Sequence, residues 1–159
     1  MDVFALHPYR KLSSLPPSTE DRLGTSIGIA DYDKLVDLLG DAFDGTAQPG
    51  SKLSVAYTEF GVQTRTPESE QAPYTNLESP LGEDAVSEQT QAKYYREALE
   101  LAACQPTVTA VFFFHLIDEP DLNRWQSGPY YVDTSPKSSL AAIREAAEKA
   151  REGKLATCS

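Results

Sequence analysis

The chain has 159 residues, 40% of them hydrophobic, and a formal net charge of −10. That is the length of one domain with enough apolar material for a core. The charge argues against nucleic acid, whose phosphates need clustered Lys and Arg, and against anionic membranes, and otherwise reads as a solvated surface; no apolar run reaches the roughly 18 residues that a spanning helix needs.

Met1 is followed at once by the strand-like Asp2–Leu6, with no signal-peptide pattern. His7-Pro8-Tyr9 comes next, then a loop over about 10–30 rich in Ser, Pro and Gly. A helix is predicted over about 31–43, with Tyr32, Leu35, Val36, Leu39 and Phe43 on one face, Asp31 as N-cap and Gly45 as stop. A short turn leads to a second strand at 53–58, inside Leu53-Ser-Val-Ala-Tyr-Thr-Glu-Phe-Gly61. There a buried-type strand runs into the Glu59 carboxylate, and Gly61 permits a sharp turn. The second loop, about 60–86, carries Pro67, Pro73, Pro80 and Gly82. A helix over about 88–103 puts Ala92, Tyr95, Leu99 and Ala102 on one side. The third strand lies within Thr107–Leu116, where Phe112 and Phe113 read as helix-facing core and His115 as a satisfied buried histidine. Its loop carries Asp118-Glu-Pro-Asp121 and Trp125-Gln-Ser-Gly128. A last helix starts near Ser138 or Ser139 and turns Leu140, Ile143, Ala147 and Ala150 inward.

Three strand–loop–helix units imply a parallel α/β sheet, with strands near 2–6, 53–58 and 109–116 and the helices on one side. The loops after strands are long and those before them short, as in an α/β barrel whose long loops build the active site. No glycine-rich phosphate loop follows the first strand, and no cofactor motif is present. Three units do not close a barrel, which leaves an open α/β piece or the end of a larger barrel; the Met beside a buried-type strand favours the latter. Its inner strand faces and two sheet edges would then be uncovered. Cys104 and Cys158 are too few and too far apart for a disulfide framework or a zinc site. Nothing in the sequence supports their pairing, and they leave the compartment open. The acidic residues have no metal-binding spacing.

His7-Pro8-Tyr9, then Tyr57-Thr58-Glu59-Phe60-Gly61, then Phe112 to Glu119 with Trp125-Gln-Ser-Gly128 and Ser135-Pro-Lys-Ser-Ser139, together resemble the last three units of a clan A glycoside hydrolase. The likeness is to the cellulase-like family five group or a neighbouring family, and it runs from about residue 2 to 147. It implies that residues 1–159 form one partial (β/α)8 TIM-barrel domain, strands six to eight, truncated at the N-terminus. By this resemblance Glu59 is the catalytic nucleophile of a retaining glycosidase. His7 and Tyr9 match residues that line the sugar site, one of which commonly hydrogen-bonds the nucleophile, and Trp125 is a candidate sugar-stacking platform in its loop. Phe114 stands where relatives carry a tryptophan under the reacting sugar, a smaller ring without an N–H. The Asn-Glu pair that carries the acid/base in relatives does not occur here. The partners implied are a carbohydrate and the missing N-terminal part of the barrel, with no cofactor, and a secreted full-length parent is compatible. Plainer readings stand beside these: Glu59 as a solvated loop residue, His7 and Tyr9 as turn residues, Trp125 as packing, and Asp118 and Glu119 as a charged loop. The alternative functions are a non-catalytic carbohydrate-binding or interaction piece, and an unrelated α/β-barrel enzyme using Glu59 as a general base.

Overall fold

The computed structural model describes residues 1–78, 84–155 and 158; Pro80 and Gly82 lie outside them. The chain is a mixed α/β structure built on a small parallel sheet. β1 (Val3–Leu6), β2 (Ser54–Phe60) and β3 (Val108–Phe113) pair in the order β1-β2-β3, both pairings parallel. The helices α1 (Tyr32–Phe43), α2 (Glu88–Ala103) and α3 (Leu140–Arg151) pack on one face.

On that face Val55, Tyr57 and Phe60 meet Leu39, Tyr95 and Ile143 in one buried cluster. Tyr57 is fully buried, and its hydroxyl donates to Gln105 Oε1 at 2.6 Å, so its polar end is satisfied inside the core. The other face is open: Val3 is 46% exposed and Phe112 57% exposed. Phe112 is thus not helix-facing core. Strand alternation sends Val111 and Phe113 to the helices and Phe112 to the opposite side. β3 also stops at Phe113, three residues short of the predicted end. The free edge of β3 floors an open apolar groove whose walls include Leu99, Ala102, Ala147 and Ala150.

Two irregularities in β2 control what each face receives. Val55 pairs with Val108 but Ala56 with Ala110; Tyr57 then pairs with Val111 but Phe60 with Phe113. The second shift restores the register that the first one lost. Strict alternation after Val55 and Tyr57 would aim Glu59 at the helices and Phe60 away from them. The extra residue reverses this, so Phe60 is 4% exposed within the helix-side core and Glu59 is turned off it.

The helices follow their apolar stripes with adjustments. α1 buries Leu35 and Leu39, and Gly45 follows it at φ +83°, in the left-handed region where glycine costs least. Asp31 precedes α1 but makes no side-chain cap; its carboxylate instead takes Arg10 at 2.9 Å. In α2 the buried stripe runs through Gln91, Tyr95, Ala98 and Ala102 rather than Ala92, so a polar side chain sits on the packed face. Ser87 caps α2 by accepting from the Thr90 N–H at 3.1 Å. Glu88 in the first turn accepts from the Ser138 N–H at 2.7 Å and from the Tyr131 hydroxyl, joining α2 to the third loop. In α3 the buried residues are Ile143 and Ala146. The long loops carry a small core of their own, Tyr74, Leu122 and Tyr131. Cys104 and Cys158 form a disulfide, tying the end of α2 to the C-terminal tail across 54 residues. Sequence spacing alone offers no sign of this pairing, because the tail is brought back only by α3 packing on α2. Among the described residues no helix is long and apolar enough to cross a membrane.

Closing a loop of that length removes chain entropy from the unfolded state, so Cys158→Ser should lower stability by roughly 4 kcal/mol. A urea titration with and without reductant checks this, and the variant should be indifferent to reductant. Burial raises the pKa of Glu88, but the hydrogen bonds from Ser138 and Tyr131 prevail and hold it below its usual value of 4.5. A depressed folded-state pKa contributes stability that is present above the unfolded value and lost as pH falls through the folded one. Glu88→Gln should therefore flatten the acid side of the melting-temperature profile below about pH 4.5 and leave its neutral slope unchanged.

Candidate functional site

β1 and β2 run parallel with Leu6 opposite Tyr57, so the residues after Leu6 emerge beside the end of β2. There Pro8 is fully buried, and the Tyr9 N–H donates to the His7 carbonyl at 2.9 Å in a three-residue turn. The turn presents both side chains to one carboxylate oxygen. His7 Nδ1 lies 3.4 Å from Glu59 Oε2, and the Tyr9 hydroxyl donates to the same oxygen at 3.4 Å. The Glu59 side chain keeps 32% of its surface exposed, so a ligand can reach it. Burial, reinforced by the adjacent carboxylate, pushes the Tyr9 phenol well above its ordinary pKa. Tyr9 therefore remains a neutral O–H donor to Glu59 at any working pH.

An aromatic wall stands next to this carboxylate. The Trp125 ring lies 5.3 Å from that of Tyr9 and 6.0 Å from that of Phe114, the latter edge-on. Phe114 is placed by its N–H, which donates to the Phe60 carbonyl at 2.9 Å. Gly61 has no substitute here, because a Cβ would collide with the Phe114 carbonyl oxygen and press on the Ser127 side chain. The structure thus brings His7, Tyr9 and Glu59 together, with Phe114 and Trp125 linked to them through Tyr9 and Phe60. A cleft of about 150 Å³ adjoins the group, walled by Tyr9, Lys11, Gly61, Gln63 and Trp125. Glu59 lies beside this cleft rather than in its lining.

Asp118 faces inward instead of toward a ligand. Its carboxylate and the Lys137 ammonium form a fully buried pair at 2.8 Å. Asp118 also accepts from the Tyr74 hydroxyl at 2.8 Å and the Gly128 N–H at 2.9 Å, and Lys137 donates to Thr64 at 2.7 Å and to the Gln126 carbonyl at 3.1 Å. Burial pushes the Asp118 pKa up and that of Lys137 down, while each partner opposes the shift of the other. This pair joins the second and third loops and the approach to α3. Asp118 is thus a loop charge, but one sealed in the interior against Lys137 rather than standing in an open charged loop. Glu119 remains partly exposed, 3.7 Å from His115 Nε2. His115 is half-buried but not fully satisfied, since its Nδ1 is buried with no hydrogen-bond partner. Among the described residues no group of three or more His, Cys, Asp or Glu side chains could hold a metal ion.

No protein-family model and no curated protein matches the chain. Solved structures similar to it include Bifidobacterium dentium β-glucuronidase complexed with coumarin-3-O-glucuronide, at 18% identity and a TM-score of 0.48, over 91% of this chain and 20% of that one. Another is Faecalibacterium prausnitzii β-glucuronidase, at 18% identity and a TM-score of 0.48, over 93% of this chain and 22% of that one. The chain therefore spans about a fifth of the length of these β-glucuronidases.

Removing one partner of a buried ion pair leaves an uncompensated charge, so Lys137→Met should cost about 3–5 kcal/mol. Adding Asp118→Asn should recover part of that loss. Urea unfolding of the two single variants and the double variant measures the coupling directly.

Proposed function

We propose that this chain is the nucleophile-bearing part of a (β/α)8 glycoside hydrolase of the clan A type, acting on O-glycosidic bonds with retention. One observation carries the reading: the Glu59 carboxylate stands at the carboxyl end of the central parallel strand, with His7 and Tyr9 both 3.4 Å from one of its oxygens. In an α/β barrel that end of the strands is where the chemistry resides.

In the proposed reaction one Glu59 oxygen attacks the anomeric carbon as the bond to the leaving oxygen breaks, giving a glycosyl-enzyme ester. A second carboxyl group protonates the leaving oxygen and then activates the water that hydrolyses the ester. His7 and Tyr9 orient Glu59 through their contacts with its Oε2. Phe114 and Trp125 offer ring faces to the apolar side of a sugar. The proposed acid/base group comes from the upstream strands: Asp118 is sealed against Lys137, and among the described residues no carboxylate of the third loop stands on a strand end facing Glu59 as the mechanism requires. That dependence favours the second reading for the chain by itself, a carbohydrate-binding surface without turnover.

Aryl β-glucosides, aryl β-glucuronides and β-glucan test the proposal. The 159-residue chain alone should show negligible hydrolysis, since three strands of a barrel neither supply the acid nor exclude water from the charged transition state. A longer chain supplying the upstream strands should be active, and Glu59→Gln should abolish its turnover while preserving shape. Robust activity surviving that substitution would remove Glu59 from the mechanism and with it the assignment.

A further inference from the structure

The end of β3 is held by one hydroxyl. Ser127 is fully buried, and its Oγ accepts from the His115 N–H at 2.9 Å while donating to the Phe114 carbonyl. A single side chain therefore engages both polar groups of the Phe114–His115 peptide unit. Ser127 is in turn fixed from behind. Its carbonyl accepts from the Tyr95 hydroxyl at 2.7 Å and from the Gln91 amide at 3.1 Å, and both donors are fully buried on α2. Gly61, two residues beyond Glu59, lets the Phe114 carbonyl approach against its Cα. Two residues before Ser127 in the chain, Trp125 presents its ring to both Phe114 and Tyr9.

We propose that Ser127 is a positioning residue for the aromatic wall: through the Phe114–His115 peptide its hydroxyl sets where the Phe114 ring stands relative to Trp125 and Glu59. It makes no contact with a substrate itself. The glycoside reading enters only in what the wall would stack against. The chemistry behind the proposal is the cost of leaving part-buried polar groups unpaired. Without the hydroxyl, a part-buried carbonyl and a part-buried N–H both lose their partner, and the least costly relief is for that peptide, with its ring, to move toward water or toward another partner.

Trp125 is the only tryptophan in the chain, so its fluorescence reports on the wall without any ligand. In folded protein, checked by far-ultraviolet circular dichroism, Ser127→Ala should shift Trp125 emission and make it more accessible to acrylamide. Phe114→Ala should do the same, and the double variant should add nothing further, because both changes act through one ring. Ser127→Thr, which keeps the hydroxyl, should restore the parental signal. Ser127→Cys keeps the size but weakens the hydrogen bonds, and serves if the alanine variant does not fold. Ile143→Val is the control for lost stability alone: it should lower the melting temperature and leave Trp125 unchanged. An unchanged Trp125 signal in folded Ser127→Ala or Ser127→Cys, or effects that add to those of Phe114→Ala, would overturn the proposal. Calorimetric titration with cellotetraose separates it from the glycoside reading. If the parent binds, Ser127→Ala should weaken binding roughly tenfold, the scale of one unmade hydrogen bond. If the parent does not bind, the glycoside reading loses its support and the Trp125 measurement alone decides the role of Ser127.

Discussion

The buried amide of Gln91 holds the layers of this molecule in relation to one another. Its nitrogen donates to the Val62 carbonyl at 3.0 Å and to the Ser127 carbonyl at 3.1 Å, and its oxygen accepts from the Ser139 hydroxyl at 2.6 Å. Those partners belong to the segment after β2, the third loop and the N-terminus of α3. A helix residue with no exposed surface thus joins three segments that are far apart in sequence. Inside a protein such an amide is favourable only when its hydrogen-bonding capacity is used, and an unmet group costs more than a met one gains. Gln91 therefore constrains the loops to one mutual arrangement in a way that an apolar side chain of equal size could not.

The Asp118–Lys137 pair extends the same logic outward. It lies beneath loops long enough to wander, and it recruits Tyr74, Thr64 and the Gly128 N–H into one satisfied network. Replacing such a pair with apolar groups can be neutral for stability, so its worth lies more in specifying a single loop geometry than in net energy. Precision at the strand ends matters because groups that act together need to be placed within fractions of an ångström. The rigid elements here are not only the strands but also the polar ties between loops.

Much of the frame could be read from the residues in order. Val3–Leu6, the core of β2 and all three helices fall where periodicity put them, because apolar spacing dominates long elements. The proximity of His7 and Tyr9 to Glu59 follows from parallel strands sharing one end. What could not be read depends on tertiary partners. Gln91 looks like a solvent-facing residue beside Ala92 until the third loop supplies its acceptors. Lys137 and Asp118 look like loop charges until they are enclosed together. Cys104 and Cys158 are neighbours only after α3 has packed. The aim of Glu59 is the most instructive case, since a period-two reading of Val55 and Tyr57 sends it to the wrong side, and only the pairing with β3 reveals otherwise.

The two compensating shifts in β2 also say which kinds of change the strand can absorb. Between Val55 and Phe60 the strand leaves and regains its register with β3, advancing as many residues as its partner does from Val108 to Phe113. Point substitutions leave that count intact. Loss or gain of one codon between Val55 and Tyr57 does not: it inverts the parity of everything beyond it, sending a carboxylate into the helix-side core and a phenylalanine out to water. For this stretch the reading frame of the pleat is under tighter constraint than the identity of most of its side chains. Length variation among related chains should accordingly fall in the loops and spare these few residues.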